Sequence, residues 1–179
     1  SNAQGFSYDF RFWSREYPDF LCTRFNDFFV ALLDSQHPLI PADRNISFDV
    51  AGDPVSINSA FFSTCHALSC GDPIQWGLRP TRDTNDDGCV DSLFCDDEQT
   101  CSGPLGSCSD GAEELEFYVF DSRHAGATSW LRTSAPVVPG EIITLEFHLW
   151  DTSDGHLDSM VLLDNFRWLT PEPSLDTKR

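Results

Sequence analysis

This sequence predicts an all-β fold, a β-sandwich of jelly-roll type, and three observations carry that expectation. Apolar residues alternate with a period of two at Tyr8, Phe10 and Phe12, at Ile143, Leu145, Phe147 and Leu149, and at Met160, Leu162, Phe166 and Trp168, as strands do when one face meets a core. Clusters of Pro, Gly, Asn and Asp separate these runs, and such residues make turns. The strand candidates are short and number about eight, which fits two packed sheets.

Taken in order, the first candidate is the aromatic run at Tyr8 to Phe12, followed by the chain's only helical signal at Pro18 to Phe25. Strands are then expected at Phe28 to Leu33, Asn45 to Val50 and Pro54 to Phe62. Between Cys65 and Gly111 the alternation disappears, and Gly, Pro, Asp and Cys take over. That lobe is too poor in apolar residues to fold by burial alone, so it needs cross-links or a cation. Strands resume at Glu114 to Phe120, Ser129 to Thr133, Ile143 to Leu149 and Met160 to Trp168. The expected organisation is one domain over 4–170, with 65–111 as an inserted lobe and 171–179, containing Pro171 and Pro173, as an exposed linker.

A length of 179 residues suits one domain with a substantial core. With 11 Lys plus Arg against 29 Asp plus Glu, the net charge is -18, which repels nucleic acid and anionic membrane faces and makes cations the natural partners. The chain is 40% hydrophobic and 13% aromatic, unlike a disordered acidic segment. No apolar run approaches the roughly 20 residues that cross a bilayer, so direct membrane insertion is not expected. Ser1-Asn2-Ala3 reads as the remnant of a cleaved tag and is left out of the fold reading.

Seven cysteines stand at Cys22, Cys65, Cys70, Cys89, Cys95, Cys101 and Cys108, six of them between Cys65 and Cys108. Crowding of this kind points to disulfides made in an oxidising compartment. Zinc is the competing reading, but no pair has C-x2-C spacing and His66 is the cluster's only histidine. The odd count leaves one thiol free or bonded to another chain.

Three acidic constellations are candidate sites. In RDTNDDGCVD, Asp83, Asn85 and Asp87 occupy positions 1, 3 and 5 of a D-x-[DN]-x-[DN]-G loop, Gly88 makes the turn, Cys89 offers a carbonyl and Asp91 follows. Calcium needs hard oxygens on a tight loop. Phe94 replaces the bidentate Glu of an EF-hand, so a later acid, Asp96, Asp97 or Glu98, must complete the shell; the competing reading is a solvated acidic turn. The second constellation is Asp151, Asp154 and Asp158 in the turn between the last two long strands; its alternatives are a structural cation and a β-turn capped by Asp side chains. The third is Glu16 with Asp27, a carboxylate pair that in a cleft would suggest glycosidase chemistry. The sequence contains no G-x-S-x-G, H-E-x-x-H or phosphate loop, and the histidines show no ligand spacing.

Several segments resemble the choice-of-anchor L domain, a bacterial family. The resemblance rests on an aromatic strand followed by (S)EYP(E/D)F and FND(x)F, here Phe10 to Phe20 and Phe25 to Phe29. It continues with APV(x)PG at Ala135 to Gly140, D(x)(x)D at Asp151 to Asp154, and DS(x)VLLDNF(x)W at Asp158 to Trp168. The match covers both ends of the core and says little about the Cys65 to Cys108 lobe. It implies a secreted or surface-attached bacterial β-sandwich, with no assigned reaction. The family's usual upstream portion is not present, so a core strand is expected to be missing, and no anchor follows Arg179. Because Glu16, Asp27, Asp151, Asp154 and Asp158 fall in its motifs, the resemblance implies a shared structural role for them; two readings stand beside each other, one calcium ion held between the EYP turn and the Asp151 to Asp158 turn, or Glu16 and Asp27 capping turns by bonding backbone amides.

The function expected first is a non-enzymatic extracellular binding or adhesion module, stabilised by structural Ca2+, that recognises a surface glycan or an extracellular partner protein. Trp13, Trp76, Trp130 and Trp150 are candidate sugar platforms, with Trp168 and Trp130 also read as core residues. The alternatives are a secreted glycoside hydrolase-like enzyme using paired carboxylates and a purely structural surface scaffold.

Overall fold

The computed structural model describes residues 2–17, 20, 25–59, 61–64, 95–97, 100–101, 125–152 and 157–179. Every regular element among them is a strand: β1 (Gly5–Ser14), β2 (Phe28–Asp34), β3 (Val55–Ser56), β4 (Phe62–Thr64), β5 (Cys95–Asp97), β6 (Thr100–Cys101), β7 (Gly126–Thr128), β8 (Leu131–Pro136), β9 (Thr144–Trp150), β10 (Ser159–Leu169) and β11 (Asp176–Lys178). All pairings are antiparallel. The larger sheet runs β11-β8-β1-β7-β4 with β10 on the other side of β1, and the smaller runs β3-β2-β9.

Strand β1 is the spine. Its even residues Phe6, Tyr8, Phe10 and Phe12 are buried in the main core, as the period-two pattern predicts. Facing them from the smaller sheet are Phe29, Ala31 and Leu33 of β2, with Phe10 4.7 Å from Phe29 between ring centroids. The odd residues form the other face, where Trp13 joins Ala125 and Ala127 in a second small cluster. The Arg11 guanidinium lies 4.7 Å from the Trp13 ring centroid.

The expected alternation of Met160, Leu162, Phe166 and Trp168 on one face is corrected by a bulge. Ser7 pairs with Arg167 and Asp9 with Asp164, so Tyr8 alone stands against Asn165 and Phe166. Asn165 takes the left-handed conformation at φ 60°, which Asn tolerates better than most residues. Its side-chain amide donates to Asp9 Oδ2 at 2.6 Å, while Arg132 holds Asp9 through two further bonds of 2.6 and 2.9 Å. Each side chain beyond the bulge therefore changes face: Met160 packs beside Trp13, whereas Phe166 and Trp168 reach Phe6 on the core side.

Two other expectations change. Residues 45–50 make only the isolated bridges Leu32–Asn45 and Phe48–Pro54, because the Asn45 side chain takes over the ladder's partners. Its Oδ1 accepts from the amides of Ala31 and Ser47, and its Nδ2 donates to the Ser47 carbonyl. The run Pro54 to Phe62 divides into β3 and β4 at a turn closed by Ser59 N to Ser56 O.

The C-terminal stretch expected as a linker carries β11, which pairs with β8. Thr177 ends a buried hydroxyl chain in which Tyr8 meets Ser47 at 2.5 Å, Ser47 meets Thr133 at 3.0 Å and Thr133 meets Thr177 at 2.8 Å. Pro173, one of the two prolines that suggested a linker, packs on Gly5, where a Cβ would lie 2.3 Å from its Cδ. Strand Glu114 to Phe120 and the helical signal at Pro18 to Phe25 lie outside the described residues, apart from Phe20 and Phe25.

Candidate cation site

The end of β1, the start of β2 and the β9–β10 connection meet at one corner of the two sheets. Ser14, the last residue of β1, accepts the Glu16 amide on its Oγ at 3.0 Å, which turns the chain out of the sheet. The Phe20 amide returns to the Glu16 carbonyl at 2.9 Å. Between them Tyr17 packs its ring 5.4 Å from Phe62 and against Gly126, where a Cβ would lie 2.2 Å from Tyr17 Cδ1. The Glu-Tyr pair is thus locked in direction: ring into the core, carboxylate toward the corner.

Asp27 precedes β2, and its amide donates to Glu16 Oε2 at 3.1 Å. Its own carboxylate accepts the Thr152 amide on Oδ1 at 3.3 Å and the Ser159 hydroxyl on Oδ2 at 2.5 Å. The Asn26 amide donates to Thr152 Oγ1 at 2.7 Å, and the Arg15 amide to the Asp158 carbonyl at 3.1 Å. Asp151 follows β9 directly and is exposed.

One carboxylate oxygen from each of Glu16, Asp27 and Asp151 lies within 4.8 Å of the others. Calcium binds oxygens at about 2.3 to 2.6 Å, so two ligands on one ion stand up to roughly 5 Å apart. The spacing fits such an ion. Glu16 is 1% and Asp27 0% exposed, while Asp151 opens the corner to solvent. Burial first, and then the Asp27 charge, push the Glu16 carboxyl up to about 8. Without a cation the corner answers its own repulsion by keeping a proton.

Of the residues expected to share one ion, Glu16, Asp27 and Asp151 come together. The Asp158 carboxylate is not part of this group; the residue acts through its main-chain carbonyl. Asp154 lies outside the described residues, as do Asp83, Asn85, Asp87, Cys89 and Asp91 and the cysteines Cys22, Cys65, Cys70 and Cys108. Cys95 and Cys101 stand opposite each other in the β5–β6 pair.

Sequence reading passed over Thr152 and Ser159, the hydroxyl residues that orient Asp27; their signal was position, one at either end of the acidic turn. Of the platform candidates Trp130 and Trp150 are exposed and Trp13 is buried, while Trp168, read as core, is exposed. Trp150 is exposed on the outer face of β9, stacked on Phe28 at 6.2 Å and on His148 at 6.4 Å. Trp76 lies outside the described residues.

The segments that build this corner are the same ones that carry the family motifs, and the family model of the choice-of-anchor L domain matches residues 1–166. The chain belongs to the choice-of-anchor L domain family. In this choice-of-anchor L domain the EYP segment supplies Glu16, FND supplies Asp27, and DSxVLLDNFxW supplies both Ser159 and the Asn165 bulge. The APVxPG segment closes a turn from Val138 to Glu141, with Gly140 at φ 88° and Glu141 N bonded to Val138 O at 3.1 Å. Pro139 and Gly140 thus sit where a type II turn requires them. No curated protein and no solved structure matches the chain. Choice-of-anchor domains are typically found in secreted or surface proteins of bacteria, and no helix among the described residues is long and apolar enough to cross a membrane.

Proposed function

We propose that this choice-of-anchor L domain is a non-enzymatic extracellular binding or adhesion module of jelly-roll type, stabilised by structural Ca2+, that recognises a surface glycan. The reading includes a disulfide-held lobe, with the Asp83 to Asp91 loop as a second calcium site, and a location outside the bacterial cell or on its surface. The observation that carries it is the convergence of Glu16, Asp27 and Asp151 at the corner joining both sheets. Three carboxylates drawn from two connections, β1–β2 and β9–β10, gain more from a shared divalent ion than from solvent, because the ion replaces mutual repulsion with coordination.

The Trp150–Phe28–His148 stack provides an aromatic surface one residue from Asp151, so a pyranose on Trp150 would lie beside the ion. The hydrolase alternative is disfavoured because the Asp27 carboxylate is wholly buried and already engaged by the Thr152 amide and the Ser159 hydroxyl.

A glycan array run in calcium and again in chelator tests the binding reading. Calcium-dependent retention of a defined glycan class, lost in Trp150→Ala while the melting midpoint is kept, is the expected result. An array blank under both conditions would shift the function to a structural surface scaffold.

A further inference from the structure

Strands β5 and β6 form an antiparallel pair of their own. Asp97 stands opposite Thr100, with two residues between them in sequence, and Cys95 stands opposite Cys101. The two pairings differ in parity. From Asp97 the chain steps back two residues to Cys95, while from Thr100 it steps on only one to Cys101, so one extra residue, Asp96, enters on the β5 side. Without that shift Cys101 would fall opposite Asp96, and the two cysteines would belong to opposite faces of the ladder, since successive residues of a strand alternate between faces. The slip in register brings both cysteines to one position and one face.

We infer that Cys95 and Cys101 are joined by a disulfide across this pair, an inference that rests on the reading of a disulfide-held lobe and names one of its bonds. Directly opposed residues of an antiparallel ladder have Cα atoms about 4.5 Å apart at a non-hydrogen-bonded position and about 5.5 Å apart at a hydrogen-bonded one. Disulfides span Cα separations of about 4.4 to 6.8 Å. Either kind of position lies inside that range, so the bond closes without moving the backbone. The pair also needs it. Its strands are three and two residues long, their sheet has no third strand among the described residues, and an isolated two-stranded hairpin is marginal in water.

The bond forms by exchange, and the oxidant is by class the disulfide of a thiol–disulfide oxidoreductase in an oxidising compartment. One cysteine attacks that disulfide as a thiolate, and the other then displaces the oxidoreductase from the mixed disulfide. Two electrons and two protons leave the cysteine pair, the S–S bond forms, and the oxidoreductase departs as a dithiol. Opposition across the ladder makes the second step intramolecular, which favours closure within the pair over exchange with a distant thiol. Of the seven cysteines this leaves Cys22, Cys65, Cys70, Cys89 and Cys108, so the odd thiol is one of these five.

Non-reducing peptide mapping of the whole chain, exported to a bacterial periplasm and alkylated before digestion, tests the inference. Cleavage before aspartates separates the two cysteines, because Asp96 and Asp97 lie between them. The expected result is the peptide Asp91 to Cys95 joined to the one that begins at Asp97, with fragmentation assigning the bond to Cys101 and not to Cys108. Thiol counting under denaturing conditions gives a second readout. Cys95→Ser or Cys101→Ser alone should add one free thiol to the wild-type count, whereas the double variant should return to that count. Either cysteine joined to a different one, either recovered alkylated, or a double variant with more free thiols than the wild type would overturn the inference. Cross-links found elsewhere in the lobe would leave the reading of a disulfide-held lobe standing, whereas seven alkylated cysteines would end both.

Discussion

Glu16 is the residue on which the corner's behaviour turns. In the folded protein its carboxyl is pushed up to about 8 by burial and by Asp27, whereas an unfolded Glu titrates near 4.3. Between these values the native state holds a proton that the unfolded chain has released, so stability falls as pH rises through the window. In chelator the melting midpoint should therefore decline from pH 5 to pH 8.5, and Glu16→Gln should flatten that decline. Calcium displaces the proton, so its stabilising effect should grow over the same range. A calcium-induced shift equal at pH 5 and pH 8.5, read by scanning fluorimetry, would contradict this account. The presence of acids was legible at this scale, because Glu16, Asp27 and Asp151 stand out as carboxylates in turn-like stretches. Their mutual distance was not, since it depends on Ser14, Thr152 and Ser159, ordinary turn residues until the chain is folded.

Element by element, apolar alternation foretold β1 and β9 because a sheet with one buried face leaves a period-two trace, whereas β2 was legible only as an apolar run between turn residues. Strand β10 was legible as a strand, but its facing was not, because a one-residue bulge at Asn165 reverses every side chain beyond it. The same limit hid β11. A three-residue strand carrying one buried hydroxyl has no periodicity to read, and its neighbouring prolines resemble those of a linker. Thr177→Val keeps the shape and removes that hydroxyl from the chain running through Thr133 and Ser47 to Tyr8. The expected cost is about 1 to 3 kcal/mol in urea unfolding, against none for a residue in a free tail. Gly126→Ala tests the EYP anchor in the same way. A methyl group 2.2 Å from Tyr17 Cδ1 must displace a buried ring, at about 1 to 3 kcal/mol. A cost below about 0.5 kcal/mol would mean that Tyr17 does not hold Glu16 in place.

Over the whole molecule, Asp151 directly follows β9 of the smaller sheet, Ser159 begins β10 of the larger one, and Asp27 leads into β2, so a cation at the corner would tie the two sheets together. The central claim is that this corner binds calcium, and thermal unfolding with and without millimolar calcium, comparing the wild type with Asp27→Asn, tests it most directly. A ligand specific to the folded state adds about 2.7 kcal/mol at a hundredfold excess over its dissociation constant, enough to move the midpoint by several degrees. The account predicts that shift in the wild type and its loss in Asp27→Asn. Equal midpoints in calcium and chelator for the wild type, or an undiminished gain in the variant, would contradict it.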